Sequence, residues 1–174
     1  MNVIGDDKHN SPAASRPWQY ILAPFVPTPY DVVDRMLTLG EVSAHDYLVD
    51  LGCGDGRILI TAAKTYGARG MGVDIEPYRV AESQTNARLA GVDELVTFKL
   101  QDALTTDLSP ATVVMLYLVQ WSTLKIKSWI TRSARPGTRV VSHNFDMGDG
   151  QATGIETVTD SEGDNHKLYL WTLA

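Results

Sequence analysis

Residues 49 to 57, Val-Asp-Leu-Gly-Cys-Gly-Asp-Gly-Arg, set a carboxylate at Asp50 beside three alternate glycines, Gly52, Gly54 and Gly56. Alternate glycines let the backbone turn sharply and let a ligand reach van der Waals distance of the main chain, which a Cβ would prevent. The short apolar run Tyr47 to Leu51 precedes them and Ile58 to Tyr66 resumes at helical spacing. The stretch therefore reads strand, glycine-rich turn, helix, with a ligand at the strand's carboxyl end. A dinucleotide fingerprint would need glycine at position 57, where the chain has Arg57, so a pyrophosphate seat is disfavoured. A second acid, in Gly72-Val73-Asp74-Ile75, ends the next apolar run. It lies about twenty residues beyond the glycines, where a carboxylate can accept both ribose hydroxyls of a nucleoside. A third acid stands in Gln101-Asp102-Ala103, after the run Leu95 to Leu100. Three acids at three successive strand ends mark one ligand site better than they mark solvated loops.

The elements that must position these groups alternate. Thr28 reads as a helix cap, with Pro29 at the first helical position, Asp31 three residues after Thr28 as in a capping box, and Val32, Val33, Met36, Leu37 and Leu39 as a buried stripe ending at Gly40. Further helices are expected over 56 to 66, over 77 to 90 with Val80, Ala81, Ala87 and Leu89 as apolar positions, and over 121 to 133 with Leu124, Ile126, Trp129 and Ile130. Strands are expected over 70 to 74, 95 to 100 and 138 to 143, and Ala111 to Val119 reads as a strand buried on both faces. This alternation predicts an α/β fold with a doubly wound, mostly parallel sheet. Residues 155 to 159 and 167 to 173 alternate polar and apolar around Asp160 to His166, which predicts a carboxyl-terminal antiparallel β-hairpin.

Composition narrows the function classes. A length of 174 residues, 44% of them hydrophobic, suits one domain with a sizeable core and no separate substrate domain. Residues 1 to 17 read as a mobile tail, and 18 to 40 as a cover segment and helix, prolines 24, 27 and 29 enforcing an extended path that could cross the ligand edge of the sheet. A net charge of −6 makes nucleic acid an unfavoured partner and favours a basic protein or a small molecule. The single cysteine, Cys53, permits neither an intrachain disulfide nor a cysteine-based metal site and reads as a small residue in a tight turn. With no apolar run long enough for export or membrane insertion, a reducing cytoplasm is the expected compartment.

The acid-x-Gly-x-Gly-x-Gly spacing resembles motif I of the seven-strand, Rossmann-like methyltransferases that use S-adenosylmethionine (SAM), whose zwitterionic methionine end suits a carboxylate beside backbone donors. More specifically, Pro24-Phe-Val-Pro-Thr-Pro29, Val49 to Ile58, Ala111-Thr-Val-Val-Met-Leu-Tyr-Leu118 and Pro136-Gly-Thr-Arg-Val-Val-Ser-His143 resemble the small archaeal and bacterial protein-lysine methyltransferases and their mitochondrial relatives. The resemblance implies a SAM site built from Thr28, Asp50, Gly52, Cys53, Gly54, Gly56, Asp74, Ile75, Gln101, Asp102 and Ala103, with Asp102 near the adenine amino group. It also implies a protein-lysine acceptor. The chain departs from the family at Thr123, Ser128, Asn144 and Gly150, on loops that would face that acceptor.

A lysine amine, whose pKa in free solution is about 10.4, must lose a proton before it can take a methyl group. Tyr117 and Asn144 are the catalytic candidates, with His143 and Asp146 also at strand ends. An aromatic face at Tyr117 could stabilise a sulfonium, whereas His143 reads as a satisfied structural histidine and Trp121 and Trp129 as helix packing. A small-molecule N- or O-methyltransferase, needing a lid, and a SAM-binding partner protein without catalysis are the rival readings.

Overall fold

A computed structural model describes residues 25–118, 120–148 and 151–174, without the side chains of 120–124. In chain order the elements are α1 (Tyr30–Leu39), β1 (Tyr47–Leu51), α2 (Arg57–Tyr66), β2 (Arg69–Asp74), α3 (Pro77–Ala90), β3 (Val96–Leu100), a 3-10 turn (Ala103–Thr105), β4 (Val113–Leu116), α4 (Gln120–Ser133), β5 (Arg139–His143), β6 (Gly154–Thr159) and β7 (Asn165–Thr172). They form one seven-stranded sheet in the order β3-β2-β1-β4-β5-β7-β6. The first five strands in that order are parallel, while β7 runs antiparallel to both β5 and β6. The expected doubly wound sheet with a terminal hairpin is therefore the fold found. The expected tail, most of the cover segment, Gly150 and the side chains of Trp121, Thr123 and Leu124 lie outside the described residues.

The middle strands are apolar throughout because they feed two cores. Leu48, Val113, Met115 and Val141 point to the side covered by α1, α2 and α3. Val49, Leu51, Val114, Leu116 and Val140 point to the other side, where Ile126 and Ile130 of α4 cover them. Successive side chains on a strand face opposite ways, so a strand with helices over both faces can carry almost no polar position.

Several boundaries and roles differ from those expected. Thr28 caps nothing: helix α1 starts after Pro29 without a side-chain cap bond, and the Thr28 hydroxyl is turned instead toward His143. Strand β4 is shorter than the apolar run 111 to 119, because Ala111 is held in a turn by its N–H bond to Leu108 O and the chain leaves the sheet after Leu116. In α3, Leu89 is 82% exposed and Ala81 is exposed, while Ser83 is fully buried with its hydroxyl donating to Val80 O. The reason is close approach: a Cβ at Gly56 would lie 2.9 Å from Ser83 Cβ and 2.7 Å from the Phe98 ring, so the α2–α3 contact admits only small groups.

Candidate active site

A cleft enclosing about 910 Å³, its open mouth included, runs along the carboxyl ends of β1, β2 and β4. Open parallel sheets bind ligands there, since the strand order reverses direction beside β1 and the loops diverge. Of the residues expected to form the site, Thr28, Asp50, Gly52, Cys53, Gly54, Asp74, Ile75, Gln101, Ala103 and Tyr117 line this cleft. Three others do not. Gly56 starts α2 in the left-handed region, at φ 83°, and packs against Phe98. Asp102 spends one carboxylate oxygen on the N–H of Leu104, at 2.8 Å, and so caps the 3-10 turn between Gln101 and Ala103. Asn144, at φ 64°, bonds its side-chain oxygen to Lys167 N–H and touches the cleft only through a hydrogen bond to the Tyr117 hydroxyl.

The glycine turn is tied to the next strand end. Gly52 and Cys53 donate their N–H groups to Val73 O, and Gly54 donates to Asp74 Oδ2 at 3.0 Å. Asp74 Oδ1 accepts from Glu76 N–H, also at 3.0 Å, so this carboxylate organises both loops and keeps lone pairs toward the cleft. Asp50 is different. It is 2% exposed, and its Oδ2 has no hydrogen-bond partner among the described residues. Burial, reinforced by the neighbouring carboxylates of Asp74 and Asp55, pushes its pKa up to about 8. A buried carboxylate left this way calls for a cation. The same burial raises the Cys53 thiol, which keeps it protonated and unreactive, as its place in the turn suggests.

The cleft has a rim that no spacing in the sequence reveals. Phe25 lies over the glycine turn, close enough that a Cβ at Gly54 would meet its ring at 2.4 Å. Arg79 of α3 covers the other side of that ring, 3.6 Å from its centroid. Arg57 pairs with Asp55, donates to Thr28 O at 2.8 Å and stacks on Tyr30, clamping the 25–28 segment across the mouth. The prolines at 27 and 29 hinted at that path; the clamping arginines left no sequence signal.

A second arrangement lies behind Thr28. Thr28 Oγ1 is 3.2 Å from His143 Nδ1, His143 Nε2 is 2.8 Å from His166 Nδ1, and His166 Nε2 is 2.9 Å from Asp160 Oδ2. His143 is fully buried, with the Tyr117 ring 4.0 Å away, and burial together with His166 pulls its pKa down to about 3. Asp160 Oδ1 accepts the N–H groups of Glu162 and Asp164, which with His166 hold its carboxyl below the usual range. Trp129 is a packing residue whose Nε1 donates to Thr106 O at 3.0 Å.

Residues 50–154 match the family model described as the ANTKMT methyltransferase domain. A protein-lysine N-methyltransferase of Saccharolobus islandicus is 38% identical over 86% of this chain and 93% of that protein. A human ATP synthase lysine N-methyltransferase is 28% identical over 72% of this chain and 53% of that protein. Among solved structures, an RNA methyltransferase of Salinibacter ruber in complex with S-adenosyl-L-homocysteine superposes with a TM-score of 0.79 at 49% identity, covering 85% of this chain and 94% of the other.

Proposed function

We propose, for a chain that belongs to the ANTKMT methyltransferase-domain family and is thereby a SAM-dependent methyltransferase, that the methyl acceptor is a lysine amine of a protein. The observation that carries this reading is the 38% identity spanning 93% of the Saccharolobus islandicus protein-lysine N-methyltransferase.

The residues present fit the cofactor. We assign the orphaned Asp50 oxygen to its ammonium group, the close-approach surface at Gly52, Cys53 and Gly54 to its amino-acid end, Asp74 to the ribose hydroxyls and Ile75, Gln101 and Ala103 to the adenine. Gly56 and Asp102 act one step removed, by starting α2 and by capping the turn that presents Gln101 and Ala103. Bound SAM supplies a methyl group on a sulfonium, transferred with the carbon–sulfur bonding pair leaving on sulfur.

The chain then has to align the amine, exclude water and remove a proton. Tyr117 and Thr28 are the polar groups of the cleft wall on the β4 side, and Asn144 holds the Tyr117 hydroxyl. Phe25, Val26 and Pro27 close the mouth over the glycine turn, which extends the expected cover role of 18 to 40 within one domain from 18 to 174.

The name of the Salinibacter ruber protein favours a second reading, an RNA acceptor. Net charge opposes it: at −6 the chain repels a phosphodiester backbone and attracts basic proteins. Among the described residues no helix is long and apolar enough to cross a membrane, and we place the protein in the cytoplasm.

Radiolabelled SAM, incubated with the protein and separate pools of basic protein, RNA and small molecules, tests the acceptor. Label on lysine, located by mass spectrometry and falling with added salt, is the expected result. Label confined to RNA or small molecules would replace the lysine reading.

A further inference from the structure

The lysine reading leaves one step without an agent, because the acceptor arrives as an ammonium and its proton must leave a cleft sealed by Phe25 and Thr28. Of the polar side chains lining the cleft, Thr28 is the one whose hydroxyl continues into a row of hydrogen bonds through the sheet: to His143 at the end of β5, to His166 in β7 and to Asp160 at the β6–β7 turn. Resting on the lysine reading, we propose that Thr28, His143, His166 and Asp160 form a proton relay that carries the acceptor's proton from the cleft to solvent at the far side of the β6–β7 hairpin.

The direction of the row follows from its outer end. An ionised Asp160 can only accept, so a neutral His166 presents Nε2–H to it and a bare Nδ1 inward. His143 must then donate from Nε2 and accept at Nδ1, which leaves Thr28 as the donor there. The Thr28 oxygen therefore keeps its lone pairs for a proton from the cleft.

In the relay step an N–H bond of the ammonium breaks and its proton joins Thr28 Oγ1. The Thr28 proton passes to His143 Nδ1, the His143 Nε2 proton to His166 Nδ1, and the His166 Nε2 proton to the Asp160 carboxylate. From there it passes to water, for His166 and Asp160 have side-chain exposures of 12% and 4% whereas His143 has none. No charge is stored at His143, consistent with its depressed pKa. The charged and titratable groups facing the row are Tyr117 over His143, Arg57 on the Thr28 carbonyl, Asp31 at the Ser161 N–H, Glu162 and Asp164 in the turn, and Lys167 beside Asn144. Thr28 touches the acceptor; the two histidines and Asp160 are positioning residues acting through it.

The discriminating variant is Asp160→Asn, which keeps Oδ1 for the turn's N–H groups but offers an N–H where the carboxylate accepted. That donor forces His166 to protonate at Nδ1 and His143 likewise, so His143 donates to Thr28 and the row runs backward, a change of tautomer rather than of fold. Single-turnover lysine methylation by D160N should be about 10²-fold slower than wild type at pH 7 and converge on it near pH 10, where the amine is neutral in solution. SAM affinity measured by calorimetry should not change. Independently of activity, two-bond proton–nitrogen NMR of the full chain without SAM should show both imidazoles protonated at Nε2 in wild type and at Nδ1 in D160N. A D160N loss equal at every pH, a rate equal to wild type at pH 7, or wild-type His143 protonated at Nδ1 would overturn the relay alone. A wild-type protein that binds SAM and labels no lysine at any pH would overturn the lysine reading and the relay with it.

Discussion

The two halves of the cleft are built in opposite ways. On the β1–β2 side, Asp50, the glycine turn and Asp74 come from 25 consecutive residues and are joined by backbone bonds such as Gly54 N–H to Asp74. On the β4–β5–β7 side, Thr28, Tyr117, His143, Asp160 and His166 span 139 positions and meet only because β7 inserts antiparallel between β5 and β6. A cofactor of constant shape can be held by a contiguous strand–turn–helix unit. The acceptor side is assembled from strand ends that the topology gathers, so its chemistry depends on the whole sheet being formed.

The sharpest way to break the comparison is to damage one half and read both. Gly54→Val should abolish SAM binding, since φ 54° disfavours a branched residue and its Cβ would enter the Phe25 ring. Circular dichroism should report an unchanged fold and NMR unchanged imidazole tautomers. Wild-type affinity in a folded variant would contradict the placement of this turn.

The mirror experiment is Thr28→Val, which removes the hydroxyl at nearly constant volume. Methyl transfer at pH 7 should fall about 10²-fold while the dissociation constant for SAM changes by less than about threefold. Parallel losses of affinity and rate would mean that Thr28 belongs to the cofactor half.

Asp74→Ala should weaken SAM by roughly 1.5 to 3 kcal/mol for each charged hydrogen bond lost. Calorimetry reads it directly. An unchanged dissociation constant would remove Asp74 from the ribose.

Asp50 sharpens the comparison through pH. With a folded pKa of about 8 against 3.8 for the free side chain, the native state holds a proton between those values that the unfolded chain has released. Stability of the unliganded protein should therefore decline as pH rises from about 4 to about 8 and level off above, by an amount on the order of a few kcal/mol. Asp50→Asn should flatten that decline in urea titrations, and SAM affinity in wild type should rise with pH over the same window as the carboxylate ionises. A decline that persists in the variant would assign it to another group.

The smallest effect concerns α3. Leu89→Gln on its exposed face should shift the unfolding free energy by no more than about 0.5 kcal/mol, because no core contact is lost. A larger loss would mean that Leu89 packs against a surface beyond the described residues.

By itself the amino-acid sequence determined the doubly wound sheet, the terminal hairpin and the cofactor half of the cleft. These are encoded within short windows: apolar runs of strand length, glycines where the chain turns beside a ligand, acids at strand ends. Tertiary structure alone decided that Thr28 turns from helix cap to the cleft wall, that His143, read as a structural histidine, joins Thr28 to His166 and Asp160, and that Arg57 and Arg79 pin the Phe25 segment over the mouth. It also decided that Ser83 rather than Leu89 faces the core. The physical reason is common to all four. A local pattern reports how often an apolar or flexible residue recurs along the chain, whereas a hydrogen bond between residues 28 and 143, or a contact tight enough to exclude a methyl group, depends on strand order and register. Those are settled only when the sheet closes on itself and buries both faces.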